Sequence, residues 1–341
     1  MGKCFLVISF FTNFANVNPI RVTIYSRGSA LPHLCGSNFF HSAELFHIIE
    51  KSPGQRPFMA VATDESGREL GHMLAFVYSH GMWLPPFRYW QGRVYGEGDY
   101  VDDACREEVF GELLKAVTRK LRRRLCFSIE FSDLSKKMFG YRLFRENGYF
   151  PIGWMEVYNS LHSMAPRDRL TPKMLHRIER VAKLGVETRE VETDADLHQF
   201  YKLLNGFYRF KMRRVIPSEL QISHFDKSDK ARVFITTYKE RVIGGSLCLF
   251  SEGNAYLWYL ASRRKSYPHL HPNMMTIWHA INWAWEHNYA HIFFLDVGLP
   301  VPHSPFRDFI LSFGGKPVST YRWFNLMPSW LNAIASRIYR E

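Results

Sequence analysis

Apolar and polar positions along the 341-residue chain follow two periods, and their order predicts the same series of elements twice. Residues 21–27 (RVTIYSR) alternate with the period of two of a half-buried strand. Residues 37–51 set Phe, Leu and Ile at helical spacing behind Ser37, a possible N-cap. Residues 58–62 and 74–78 are apolar runs around a turn at 64–67, which predicts a hairpin. A loop rich in Pro and Trp covers 81–92, and 93–101 predicts a strand with bulges at Gly96 and Gly98. Residues 103–124 predict a helix, acidic at its start and basic at its end as the macrodipole favours. A strand at 125–131, a helix at 136–147 stopped by Gly148, and a strand at 149–161 complete the series.

A connecting helix follows, with Thr171 as cap, Pro172 at its first position and Gly185 at its end. The series then repeats: strand 186–191, helix 194–211, short helix 218–224, and a hairpin of 232–238 and 243–250. Strand 255–261, helix 272–288, strand 291–297, short helix 306–313, strand 318–324 and a closing helix 329–339 finish it. Strands and helices in this order predict an α/β chain, mixed sheets flanked by helices, in two units of similar architecture. Two sheets side by side are expected, with a boundary near 160–170. The units are then 19–165 and 166–341. Residues 1–18, with the apolar stretch CFLVISFF and no small-x-small cleavage site, read as a non-structural leader or as a start placed upstream of the true one near Val17.

Composition narrows the classes. Hydrophobic residues make up 46% and charged residues 22%, which excludes a disordered chain. No apolar run approaches the ~18 residues of a membrane span. Five scattered cysteines without a CxxC pair argue against a disulfide framework or a zinc site, and the cytoplasm is the expected compartment. The net charge of +12 is uneven. Residues 1–160 hold 19 Lys/Arg and 16 Asp/Glu, whereas 161–341 hold 25 and 16, so an anionic ligand is expected on the second half.

The residues 232–250 (RVFITTYKERVIGGSLCLF), 256–262 (YLWYLAS), His271-Pro272-Asn273, 293–298 (FFLDVG) and 306–316 (FRDFILSFGGK) together resemble the GNAT acyltransferase superfamily. The two-fold element order resembles its tandem members, the Fem-type aminoacyltransferases and related acetyltransferase-like proteins. The resemblance implies two tandem GNAT-like domains, with the donor site in the second. It implies an acyltransferase that moves an acyl group from acetyl-CoA or another acyl-CoA to an amine acceptor. Aminoacyl-tRNA is the alternative donor, and a non-catalytic binding module of the same fold is a further alternative. One departure stands out: the loop 262–273 (SRRKSYPHLHPN) lacks the glycines with which most acetyl-CoA-dependent members wrap a pyrophosphate.

Candidate chemistry follows from residue types at these places. Arg263, Arg264 and Lys265, just before a helix start, could hold donor phosphates or form a solvated turn. Asn273 and Ser266 could add polar contacts there or cap the helix. Asp296 ends an apolar strand where, by the resemblance, the fourth and fifth strands of the fold splay around the acyl group. It could position or deprotonate the amine, or cap the next turn. Tyr259 and Tyr321 could protonate the leaving group, or be packed core residues. Glu97, Glu130, Trp83, Arg88 and Tyr89 are weaker candidates to line an acceptor cleft between the halves. No metal site is expected: His269 and His271 have no nearby Cys or carboxylate, and no Walker loop, GxGxxG or GxSxG appears. The cationic stretch Arg209–Arg214 reads as a charged helix end, with tRNA as a possible partner.

Overall fold

A computed structural model describes residues 20–81, 88–103, 105–134, 136–208, 215–295 and 297–339. The first half runs β1 (Arg21–Tyr25), α1 (Ala43–Glu50), β2 (Gln55–Thr63), β3 (Glu69–Gly81), β4 (Arg88–Tyr95), the two-residue β5 (Asp99–Tyr100), α2 (Arg106–Arg123), β6 (Cys126–Ser132), α3 (Tyr141–Glu146) and β7 (Phe150–Ser160). The second runs α4 (Pro172–Lys183), β8 (Val186–Glu190), α5 (Asp194–Tyr208), α6 (Glu219–Asp226), β9 (Ala231–Tyr238), β10 (Arg241–Ser251), β11 (Asn254–Ser262), α7 (Pro272–Glu286), β12 (His291–Phe294), α8 (Pro305–Leu311), β13 (Lys316–Leu326) and α9 (Ser329–Ile338).

The predicted series is present in both halves, with local shifts that have local causes. Ser42, not Ser37, caps α1, because Phe39–His41 form a single 3-10 turn first. The strand expected at 93–101 lies at Arg88–Tyr95 instead. Gly96 and Gly98 take φ of +80° and +107°, which end the strand rather than bulge it. The helix expected at 136–147 is confined to α3.

The larger correction concerns the sheet. The strands form one 13-stranded sheet, not two, in the order β1-β2-β3-β4-β6-β13-β7-β12-β11-β10-β9-β8 with β5 beside β3. The two halves exchange their last strands. β13, from the second half, pairs with β6 (Trp323 opposite Phe131), while β7, from the first, pairs with β12 (Tyr158 opposite Phe293). β7 and β13 pair antiparallel with each other from Phe150–Phe324 to Tyr158–Lys316.

Side chains cover both faces of this sheet. One face carries α1, α5 and α6, whose Phe46, Phe200 and Ile222 join a single core with Trp258 and Tyr259 of β11. The other carries α2 and α3 over the first half, and α4, α7 and α8 over the second. Each Leu, Ile or Phe buried this way contributes roughly 1.5–3 kcal/mol. Gly244 and Gly245 of β10 let helices approach on opposite faces. A Cβ at Gly244 would stand 2.8 Å from Thr276 Oγ1 of α7, and one at Gly245 would stand 2.6 Å from the ring of Phe200 on α5.

Candidate active site

The second half opens where β11 and β12 part. They pair in parallel only from Asn254–His291 to Leu257–Phe294, after which β11 continues to Ser262 beside β10 alone. At the parting point β11 is bulged. Leu247 faces Tyr259 and Cys248 faces Leu257, so Trp258 is the extra residue. The bulge turns two consecutive side chains, Trp258 and Tyr259, to the α5/α6 face, while Leu257 and Leu260 face α7. A small cavity of about 50 Å³ lies there, lined from both halves by Phe40, Tyr78, Arg93, Tyr95, Trp258 and Tyr259. The Tyr259 hydroxyl donates to Val215 O at 2.6 Å, and the Tyr208 hydroxyl donates to Leu260 O at 3.1 Å. Both flanks of residues 209–214 are thus tied to β11; the cationic stretch itself lies outside the described residues. On the β12 side, Leu295 O accepts from Trp154 Nε1 at 3.1 Å and from Arg322 Nη2 at 3.4 Å. Strands exchanged between the halves therefore fix the backbone next to Asp296, which itself lies outside the described residues.

The N-terminus of α7, a 15-residue helix with Pro272 in its first turn, packs on β10 at Gly244, opposite Ser262 at the end of β11. His271 before it takes φ +41°. Arg263, Arg264 and Lys265 are exposed in the preceding turn, and Asn273 is half-buried at the helix start. Arg264 lies close enough to His271, at this helix start, to act on its charge. The structure adds two residues that the sequence reading missed, Arg177 and Arg180 of α4. Partial burial and the nearby Arg177, Arg180, His269 and Arg264 hold the His271 imidazole below its usual range. Positive charge from two segments thus converges on one helix start. In the sequence α4 reads as a connector, and the i,i+3 spacing of Arg177 and Arg180 beside its apolar stripe of Met174, Ile178 and Val181 is the one signal of a further role.

Three backbone N–H groups of the turn are already used within the protein. Arg263 N donates to Ile243 O at 2.8 Å, and Ser266 N and Tyr267 N both donate to Arg263 O at 3.0 Å. A phosphate here meets guanidinium and ammonium groups and the helix terminus, not a glycine-lined nest.

The first half is sealed at the corresponding place. β4 and β6 stay paired from Trp90–Cys126 to Tyr95–Ser132, and Gly96 N then donates to Ser132 O at 2.8 Å. Glu130 is not a cleft-lining base. It is buried and accepts from Gln91, Arg93 and Ser132, each at 2.9 Å, with Arg322 Nη1 3.5 Å away. Glu97 pairs with Arg106. It borders a polar cavity of about 300 Å³ with Asp99, Asp103, Lys136 and Glu252. Tyr321 is on β13, with β7 and β12 between it and β11. Its N–H donates to Asp133 Oδ2 at 2.7 Å, and its ring packs on Tyr141 and Trp323 in the first half's core. The structure does not bring it to Tyr259. Tyr89 packs edge-on against Phe127, 5.8 Å between ring centres, away from the cavity beside Tyr259. Trp83 and the Arg88 side chain lie outside the described residues.

Residues 172–299 match the family described as Acetyltransferase (GNAT) domain. Several solved structures share the whole architecture. FemX superposes with a TM-score of 0.61 at 10% identity over 89% of this chain and 96% of its own. A tandem GNAT protein from the clavulanic acid biosynthesis pathway gives 0.57 at 10% identity over 90% and 98%. L-PGS from Bacillus licheniformis gives 0.56 at 13% identity over 90% and 94%. No curated protein matches the sequence at a significant level. The chain therefore has the fold of two GNAT units in tandem, and its second half carries a domain of the acetyltransferase (GNAT) type.

Proposed function

We propose that the second half binds an acyl-CoA and transfers its acyl group to the amine of an acceptor held between the two halves. The observation that carries this reading is the opening between β11 and β12, beside a helix start ringed by cations. Arg263, Arg264, Lys265, Arg177 and Arg180, with Asn273, hold the donor phosphates by charge and bidentate pairing. Asp296, one residue beyond Leu295, takes the proton of the acceptor amine. Its nitrogen then bonds to the acyl carbon while the carbon–sulfur bond breaks and the thiolate leaves. Tyr259 lines the cavity shared by both halves and already donates its hydroxyl to Val215 O. This suits it to orient the amine through its lone pairs rather than to protonate the leaving group. Tyr321 is left with a packing role.

A second reading, an aminoacyl-tRNA donor, is favoured by the turn at 263–267, which has no glycine and presents three cationic side chains to an anion. Both donors belong to the cytoplasm, which also suits the four described cysteines, all of them unpaired. No helix among the described residues is long and apolar enough to cross a membrane.

Calorimetric titration of the full chain with CoA, acetyl-CoA and aminoacyl-tRNA tests the reading. Replacing Arg263, Arg264 and Lys265 by Ala should weaken donor binding at least tenfold, about 1.4 kcal/mol, without lowering Tm. A steep salt dependence with tRNA selects the second donor. Binding of neither donor returns the chain to a non-catalytic module.

A further inference from the structure

The closing helix α9 points its apolar side outward. Trp330, Ile334 and Ile338 fall at i, i+4 and i+8 and are 63%, 50% and 70% exposed. No side chain of α9 is buried. Its orientation is nevertheless fixed, because Asn332 accepts from Leu326 N and donates to Gly148 O, both at 2.8 Å. The ring of Tyr339, just past the helix, stacks on Phe150. The start of β6 and the end of α2 lie alongside: Met327 N donates to Phe127 O at 2.8 Å, and Arg122 Nη2 donates to Asn325 Oδ1 at 3.0 Å. Here Leu125 and Phe127 are exposed as well. Leu125 sits at φ +54°, a position after a helix where a β-carbon is disfavoured and glycine is usual. Folding gains nothing from leucine there.

Charge surrounds this apolar surface. Residues 119–129 and 326–339 together hold six Lys and Arg and no Asp or Glu. We infer that α9 and the basic end of α2 form a docking surface for an anionic lipid bilayer. The apolar stripe enters the interfacial region, while Arg119, Arg122, Arg123 and Arg337 meet the phosphates. A nucleic acid would use the cations and leave the Trp–Ile–Ile stripe in water. This inference is independent of the donor.

Flotation of the full chain with vesicles tests it, comparing phosphatidylcholine alone with phosphatidylcholine mixed with phosphatidylglycerol. The protein should float with the anionic vesicles and be released by salt. Ile334→Ser/Ile338→Ser should lose about tenfold in vesicle affinity at unchanged Tm, because neither side chain is buried. Arg119→Gln/Arg123→Gln should weaken binding to anionic vesicles and make it less salt-sensitive. The inference is overturned if the wild type floats with neither vesicle, or equally with both. It is also overturned if the Ile variant floats as well as the wild type, which assigns binding to another segment such as residues 1–19. Sedimentation velocity provides the remaining check: a wild-type dimer that the Ile variant dissociates would make a second copy the occupant. An RNA oligonucleotide bound in place of vesicles would assign the cations to nucleic acid.

Discussion

The two halves share an element order but treat the same place in opposite ways. In the second, β11 and β12 part after four residue pairs, and α7 begins near Arg177, Arg180 and Arg264. In the first, β4 and β6 stay joined, a carboxylate clasped by two arginines lies buried between them, and α2 opens with Glu107 and Glu108. Those acids suit the helix dipole but repel phosphate. On the proposed reading, one half receives an anionic donor and the other, of the same element order, is a wall. Chemistry is expected on one side only.

The sharpest way to break this contrast is at the carboxylates that follow β12 and β6. Asp296→Asn should lower kcat by on the order of 10²–10⁴ while leaving donor affinity in place. A loss expressed in KM instead would make Asp296 an orienting group, and full activity would remove it from the mechanism.

The sealing of the first half is tested by Glu130→Ala. It strands Arg93 and Arg322, only 9% and 14% exposed, without their shared partner. Urea unfolding should show a loss of about 3–5 kcal/mol, the usual cost of removing one partner of a buried ion pair. A loss below about 1 kcal/mol would mean that water reaches the network and the wall is porous.

Asp133 gives the contrast a pH signature. Burial raises its carboxyl from 3.8 to about 7, against the opposing pull of N–H groups from Tyr321 and Met138 and of Lys137. Between those values the folded chain holds a proton that the unfolded chain has released. The contribution to stability is therefore fully present below about pH 4 and is lost as pH rises through about 7. Its ceiling is about 4 kcal/mol. Asp133→Asn should flatten this part of a Tm-against-pH curve and spare the activity.

The smallest expected effect is Arg177→Ala/Arg180→Ala, which should reduce donor affinity about threefold to tenfold by calorimetry. Glu107→Gln/Glu108→Gln at the matching helix of the first half should leave it unchanged. Equal effects from both pairs would mean that charge acts over the whole surface rather than at one helix start.

Much of the fold was readable from periodicity, because helical and strand spacing are local properties. Partner choice is not local. The run Phe150–Ser160 has the same alternation whether its neighbour is β6 or β12, so nothing in it announced the exchange with β13. That exchange also carried Tyr321 away from Tyr259, although chain order had put it in the second half. The bulge at Trp258 was hidden because AYLWYLA is apolar on both faces and shows no break in alternation. The cations at 263–265 were visible as a cluster. Arg177 and Arg180 join them only through the packing of α4 against α7.

The exchange of β7 and β13 also bears on how the chain acquires its shape during synthesis. The pair Phe150–Phe324 joins two strands more than 170 residues apart in the chain, and β13 is made only after the whole of the second sheet segment β8–β12. Until then β6 has β4 on one side and an open edge on the other, the kind of edge that recruits foreign strands. A ribosome-bound first half therefore cannot finish folding ahead of the second, in contrast to the domain-by-domain order usual in tandem proteins. Closure across so many residues is a late and slow event, and the nascent protein depends on β13 to cover the open edges of β6 and β7.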